Sequence, residues 1–228
     1  MNRITEALTD SLEPKMALIV YQNGRQVYLE RRDIEKGMMK TGVPLTEKCL
    51  SGISEVLSSN SANIIHGRIP SIMLYADCRP GKEKYVWYRK PEKRMMFFSE
   101  KLGIQSGEIK LPGLVYMAKG SELSVFAIKT KSLRLSTKLH HAPFFNVHDS
   151  ANVCLGNAKV KKADELTYEG IIKYWEDKFW LSEFDHLLGN NPIDGNLSTV
   201  TKLCIENGND FPVQKLKFMN LKLKDLLR

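Results

Sequence analysis

At 228 residues, with 43% hydrophobic and 26% charged side chains, the chain suits one sizeable packed domain, or a domain with an appended piece. Its formal net charge of +8 favours an acidic partner, a protein surface or nucleic acid, and says nothing of the fold. Cys49, Cys78, Cys154 and Cys204 include no Cys-x-x-Cys pair, which argues against a structural zinc site, and the N-terminus does not read as a secretory leader, so reduced thiols in a cytoplasm are expected, with no metal and no cofactor.

Residues 2–14 are polar with scattered leucines. The run from Met16 to Tyr21 reads as a strand, and is far shorter than the roughly 20 residues of a membrane span. Gln22-Asn23-Gly24 is a hairpin signal, with Val27-Tyr28-Leu29 as the returning strand. Thr46 then caps a predicted helix whose apolar face is Leu45, Cys49, Leu50, Ile53, Val56 and Leu57, which makes Cys49 a core residue. Residues 1–60 are accordingly an N-terminal hairpin and helix packed on a core of residues 61–228.

Three strands are predicted next, Ser71 to Ala76, Lys84 to Arg89 and Arg94 to Phe98. Alternation puts Tyr85 and Trp87 on one face and Val86 and Tyr88 on the other. The interleaved lysines and arginines suit a sheet with one buried face and basic loops better than a nucleic-acid surface, so nucleic-acid binding is expected to be weak or absent. Leu114 to Ala118 and Leu123 to Ile128 flank Lys119-Gly120-Ser121-Glu122 as a second hairpin.

The most informative stretch follows, from Leu139 to Gly156. An apolar run meets the polar turn Asp149 to Asn152, then Val153-Cys154-Leu155. Asp, Ser and Asn form turns through their own side chains, and a cysteine on the rim of a turn can be exposed and reactive. Asn146, eight residues upstream, carries a neutral amide of the kind that stabilises an oxyanion. His148 is the nearest imidazole in sequence and a candidate for proton transfer. Lys159, Lys161 and Lys162 would favour a thiolate if their loop folds back. The competing reading takes Val-Cys-Leu as plain core and His148 as an exposed turn residue.

Thr167 caps a long helical region with an apolar stripe from Ile171 to Leu188, broken near Ser182, carrying His186 and ending at Gly189-Asn190-Asn191-Pro192. Ile171, Ile172, Trp175 and Phe179 are expected to lie against the sheet. The segment Lys215 to Lys224 is basic and amphipathic.

Phe144-Phe145-Asn146, a seven-residue gap and Cys154-Leu155 resemble the active-site segment of ubiquitin-conjugating enzymes, in which a His-Pro-Asn triplet precedes the catalytic Cys-Leu. Here Phe144 and Phe145 replace the first two triplet residues. Leu111-Pro112-Gly113-Leu114-Val115, Leu123-Ser124-Val125-Phe126-Ala127, Ala142-Pro143-Phe144-Phe145-Asn146-Val147 and Val153-Cys154-Leu155-Gly156, in that order, resemble the PRTRC system protein B family, a bacterial branch of the ubiquitin-conjugating superfamily. The resemblance implies an α+β fold, a ubiquitin-conjugating-like antiparallel sheet packed on helices, to which the first hairpin is an extension. It also implies Cys154 as the thioester-forming cysteine, Asn146 beside it, and partners in a ThiF-like activating enzyme, a small ubiquitin-like protein (PRTRC protein C) and a JAB-like protein A. No membrane partner is expected. Two other readings stand beside this one, a catalytically inactive basic adaptor or nucleic-acid-associated component of the same system, and a cysteine peptidase.

Overall fold

The structure is a computed structural model that describes residues 13–24, 26–50, 65–79, 81–156, 160–161 and 166–228. The chain falls into two compact units, Met1–Ala62 and Asn63–Arg228.

The first unit is built on β1 (Met16–Asn23) and β2 (Gln26–Glu35), paired antiparallel from Met16↔Asp33 to Asn23↔Gln26. Gly24 takes φ +57° within the connection. Two short strands, β3 (Met38–Met39) and β4 (Val43–Pro44), also pair with β2. Lys36 and Gly37 both have positive φ between the paired residues Glu35 and Met38, the geometry of a two-residue hairpin loop that matches strand twist. Residues 47–50 are helical, and the Thr46 hydroxyl accepts the Cys49 N–H at 3.3 Å, as a cap does. Ile53, Val56 and Leu57 of the predicted helix lie outside the described residues.

The second unit is an α+β core. Its strands are β5 (Met73–Asp77), β6 (Lys84–Arg89), β7 (Lys93–Met96), β8 (Gly107–Lys110), β9 (Gly113–Lys119), β10 (Glu122–Ile128), β11 (Lys138–His141) and β12 (Phe218–Lys222). Six of them form one antiparallel sheet in the order β12-β11-β10-β9-β6-β5, and β7 pairs with β8 separately. The helices are α1 (Tyr168–Trp180), α2 (Leu197–Asn207) and α3 (Leu223–Leu226). No helix among the described residues is long and apolar enough to cross a membrane.

Alternation on β6 decides the layering. Tyr85 and Trp87 enter the larger cluster with Ile171, Ile172, Trp175 and Phe179 of α1, all buried. Val86 and Tyr88 enter a second cluster with Leu223 and Leu226 of α3. Both faces of the sheet are therefore covered, where the sequence suggested one. The short α3 and the segment around Leu133 close the second face.

Thr167 caps α1 by accepting the Gly170 N–H at 3.0 Å. The helix stops at Trp180, close to the expected break at Ser182, and the later part of the stripe, with His186, lies beyond it in irregular chain. The Phe184 N–H donates to Phe97 O at 2.8 Å and the Ser99 N–H donates to Phe184 O at 2.9 Å. This pairing with the strand-like segment 97–99 takes the backbone groups that a longer helix would use.

One carboxylate ties α1 to the sheet. Glu176, 6% exposed, accepts from Arg89 Nε at 2.7 Å, Arg89 Nη2 at 3.0 Å and Trp87 Nε1 at 2.9 Å. Removing one member of a buried pair strands the other charge. Glu176→Ala is expected to cost about 3 kcal/mol, the low end of the range for such a break, because the Arg89 guanidinium stays partly open to water. Urea titration measures this, and a loss below about 1 kcal/mol would show the network to be dispensable.

Candidate active site

Residues 146 to 154 form a tight hairpin. Val147 and Val153 bridge antiparallel, the Cys154 N–H donates to Asn146 O at 2.8 Å, and the His148 N–H donates to Asn152 O at 2.9 Å. Ala151 N–H donates to His148 O at 2.8 Å and Ala151 takes φ +70°. This is a three-residue loop, Asp149-Ser150-Ala151, with its last residue left-handed. The eight-residue spacing of Asn146 and Cys154 follows from that loop, since the register places the two residues opposite each other. Opposed residues share a face with Cβ atoms about 4.5–5.5 Å apart, and His148, two positions along, falls on the same face.

The hairpin is fixed to its surroundings on both arms. On the second arm, Val125 N–H donates to Ala151 O at 3.0 Å and Val153 N–H donates to Leu123 O at 2.8 Å. Ser124 Oγ donates to Asn152 Oδ1 at 2.8 Å. β11 pairs with β10 only at Phe126 and Ala127, so this arm occupies the rest of the β10 edge. On the first arm, Asn146 is 6% exposed and bridges the chain that follows α1. Its Nδ2 donates to Glu183 O at 2.8 Å and its Oδ1 accepts the Asp185 N–H at 3.3 Å. Ser182 Oγ donates to Leu155 O at 3.3 Å, one residue past the cysteine.

Asp149 clasps the loop tip to the same segment, accepting from Asn190 N at 2.8 Å and from Asn190 Nδ2 at 2.7 Å. Gly189 permits the approach, at φ +99° and with space for a Cβ only 2.7 Å from Asp149 Oδ1. Gly189→Ala is expected to destabilise the protein by about 1–3 kcal/mol and to release the clasp. Hydrogen exchange at the Asn190 amide reads this directly, and unchanged protection there would contradict it.

Cys154 is an exposed, free thiol at the hairpin's end. His148 is exposed, and its ring has no hydrogen-bond partner among the described residues. The structure thus brings Cys154, Asn146 and His148 to one hairpin, with Asn146 buried as a clamp and the other two open to solvent. His140 and His141 lie on β11, where burial is the first cause that lowers each imidazole's pKa. Of the three lysines expected to favour a thiolate, Lys159 and Lys162 lie outside the described residues, and Lys161 is exposed.

The site also includes residues that sequence reading passed over. Ser182, Glu183, Asp185 and Asn190 hold the hairpin, and Asp185 Oδ1 lies 2.5 Å from His186 Nδ1. Their signal in the sequence was the cluster of polar residues interrupting the stripe after Trp180. Among the described residues no group of three or more His, Cys, Asp or Glu side chains could hold a metal ion.

The family model of prokaryotic E2 family D matches residues 49–219, which take in β5 to β11, the cysteine hairpin and α1 and α2. The chain belongs to that family. No curated protein and no solved structure matches it.

Proposed function

We propose that this member of prokaryotic E2 family D carries a ubiquitin-like protein as a thioester on Cys154 and transfers it to an amine. The observation that carries the reading is the placement of an exposed cysteine opposite a buried, clamped asparagine on one rigid hairpin, within a chain of that family. In loading, the Cys154 thiolate attacks the activated C-terminal carbonyl of the small protein and displaces the activating enzyme's thiolate. In transfer, an amine attacks the thioester carbonyl, the C–S bond breaks, and the sulfur leaves as thiolate. Asn146 has one Nδ2–H committed to Glu183 O and a second to offer the oxyanion between these events. His148 takes the proton that the attacking amine gives up.

The partners proposed are a ThiF-like activating enzyme and PRTRC protein C, with the JAB-like protein A reversing or trimming the product, in a cytoplasmic PRTRC system. The test is to mix the full chain with these two partners and ATP and resolve the products with and without reductant. A mass increment equal to protein C, lost on reduction, supports the reading. No adduct with an activating enzyme shown to be charged would favour the inactive adaptor, and cleavage of protein C would favour the peptidase.

A further inference from the structure

The four cysteines are all free thiols, and their surroundings set one apart. Cys204 is buried and Cys49 half-buried, while Cys78 and Cys154 are exposed. Of the exposed pair, Cys78 alone has a hydrogen bond to its sulfur among the described residues. It stands one residue past β5. Ala76 opposes Tyr85 in the β5–β6 register, so Cys78, two positions on, falls on the face of the sheet that carries Tyr85. That face packs on α1. Tyr168, the first residue of α1, brings its Oη to 3.7 Å from Cys78 Sγ.

Tyr85 supplies a second hydroxyl. Its side chain is 6% exposed, and its Oη is buried with no hydrogen-bond partner. A buried donor without an acceptor is costly, and such groups are rare in folded proteins. Burial raises the Tyr85 pKa first, and charge and hydrogen bonding at Cys78 raise it next, so this hydroxyl lies beside the sulfur. The Tyr168 pKa is raised as well, first by its hydrogen bond with Cys78. Two phenol O–H groups, from β6 and α1, therefore meet at one exposed thiol. The neighbouring carboxylate does not compete for them, because Asp77 is taken by the backbone N–H, Nε and Nη2 of Arg79.

Hydroxyl donors are what an anionic sulfur takes up, and the thiolate is the form that reacts. The orphaned Tyr85 Oη narrows the choice of reagent. It waits for an acceptor, yet it is buried, so a group of one atom on the sulfur reaches it and a bulky adduct does not. We propose that Cys78 is a modification site for hydrogen peroxide, which converts it to a sulfenic acid held by Tyr85 and Tyr168. The thiol first gives its proton to solvent. The thiolate sulfur then attacks one peroxide oxygen, the S–O bond forms and the O–O bond breaks. Sulfur gives up two electrons and the peroxide takes them. The departing hydroxide and the sulfenate oxygen each take up a proton, so thiol and peroxide become sulfenic acid and water. The new oxygen accepts the Tyr85 O–H that the reduced protein leaves unpaired. The site is on a different element from Cys154 and is independent of whether a thioester forms there.

The test treats the reduced full chain with limiting hydrogen peroxide in the presence of dimedone, which traps sulfenic acids. Peptide mass spectrometry then follows the label at each cysteine over time. Cys78 should take the label about tenfold faster than Cys154, the ratio that one hydrogen bond to a charged group sustains. Tyr168→Phe and Tyr85→Phe should each slow labelling of Cys78 about tenfold and leave the rate at Cys154 as in the parent. Reduced Tyr85→Phe should melt no lower than the parent, since it removes a hydroxyl that the reduced fold leaves unpaired. If it does melt lower, Tyr168→Phe, at the start of α1, carries the test alone, with slower labelling of Cys78 still expected. Labelling of Cys78 no faster than that of Cys154 would overturn the proposal. So would a rate at Cys78 that neither substitution changes.

Discussion

Cys154→Ala is expected to abolish the reductant-sensitive adduct outright, and Cys154→Ser to replace it with a reductant-resistant, base-labile oxyester or none. The serine hydroxyl is the poorer nucleophile because it does not ionise near neutral pH, whereas a thiol does so in part. The other cysteines make this a real discrimination. Cys204 is buried, its Sγ lies 3.8 Å from Asp210 O, and burial raises its pKa, all of which disfavour a thiolate. Cys49 is half-buried, with Arg31 Nη1 at 3.9 Å from its sulfur. Cys78 is the serious rival, exposed and 3.7 Å from Tyr168 Oη. Neither it nor Cys49 is paired across a hairpin with a clamped amide. Mass spectrometry of the loaded protein locates the adduct, and one that survives Cys154→Ala and disappears in Cys78→Ala would move the site to β5 and its turn.

Asn146→Ala is expected to leave loading largely intact and to slow transfer to an amine by about 10²–10³-fold, the usual cost of losing one oxyanion donor. The same change removes both side-chain bonds that hold Glu183 and Asp185, so stability should also fall, by about 1–3 kcal/mol. The two effects separate in a single-turnover experiment. Thioester is formed first, and its discharge to free lysine is then followed per loaded molecule, beside a melting curve. A protein that melts lower yet discharges at the parent rate would leave Asn146 as a clamp alone. Asn146→Asp adds a further check, since it keeps the acceptor for the Asp185 N–H and loses the donor to Glu183 O.

The parts of the fold that the sequence disclosed were those set by local rules. Gly120, at φ +57°, and the alternation on either side of it led to β9 and β10. The Thr167 cap marked the start of α1. The end of α1 was legible as a break near Ser182, although Phe184, Leu187 and Leu188 continue at helical spacing beyond it. What ends the helix is pairing with residues 97–99, distant in sequence. α2 went unread although its signals were present, Asn196 accepting the Thr199 N–H at 2.9 Å and Gly208 closing the helix in the left-handed region. Its apolar face is short, and periodicity alone did not raise it above a loop. β12 was obscured for a different reason, since alternating lysines and apolar residues fit a strand and an amphipathic helix alike.

At the site, the spacing of Asn146 and Cys154 was visible and its meaning was not. A count of eight residues becomes an opposed pair only if the loop has three residues with the last one left-handed, and Ala151 is not a residue from which that is read. The clamp was invisible because its partners are backbone groups, the carbonyl of Glu183 and the N–H of Asp185, which carry no side-chain signature.

The sheet joins partners at very different distances along the chain. β5 with β6 and β9 with β10 are neighbours in sequence, while β12 reaches β11 from far downstream. Closing so large a loop surrenders chain entropy before any contact repays it, so this edge assembles after the hairpins. Interactions made late in folding act on the rate of escape from the native state and hardly on the rate of reaching it. Lys222 lies directly opposite Lys138 in this pair, so neutralising Lys222 is expected to lengthen the protein's lifetime in the folded state without making it fold faster. The β11–β12 pair is therefore expected to act as the latch of the second unit and to open first when the sheet comes apart.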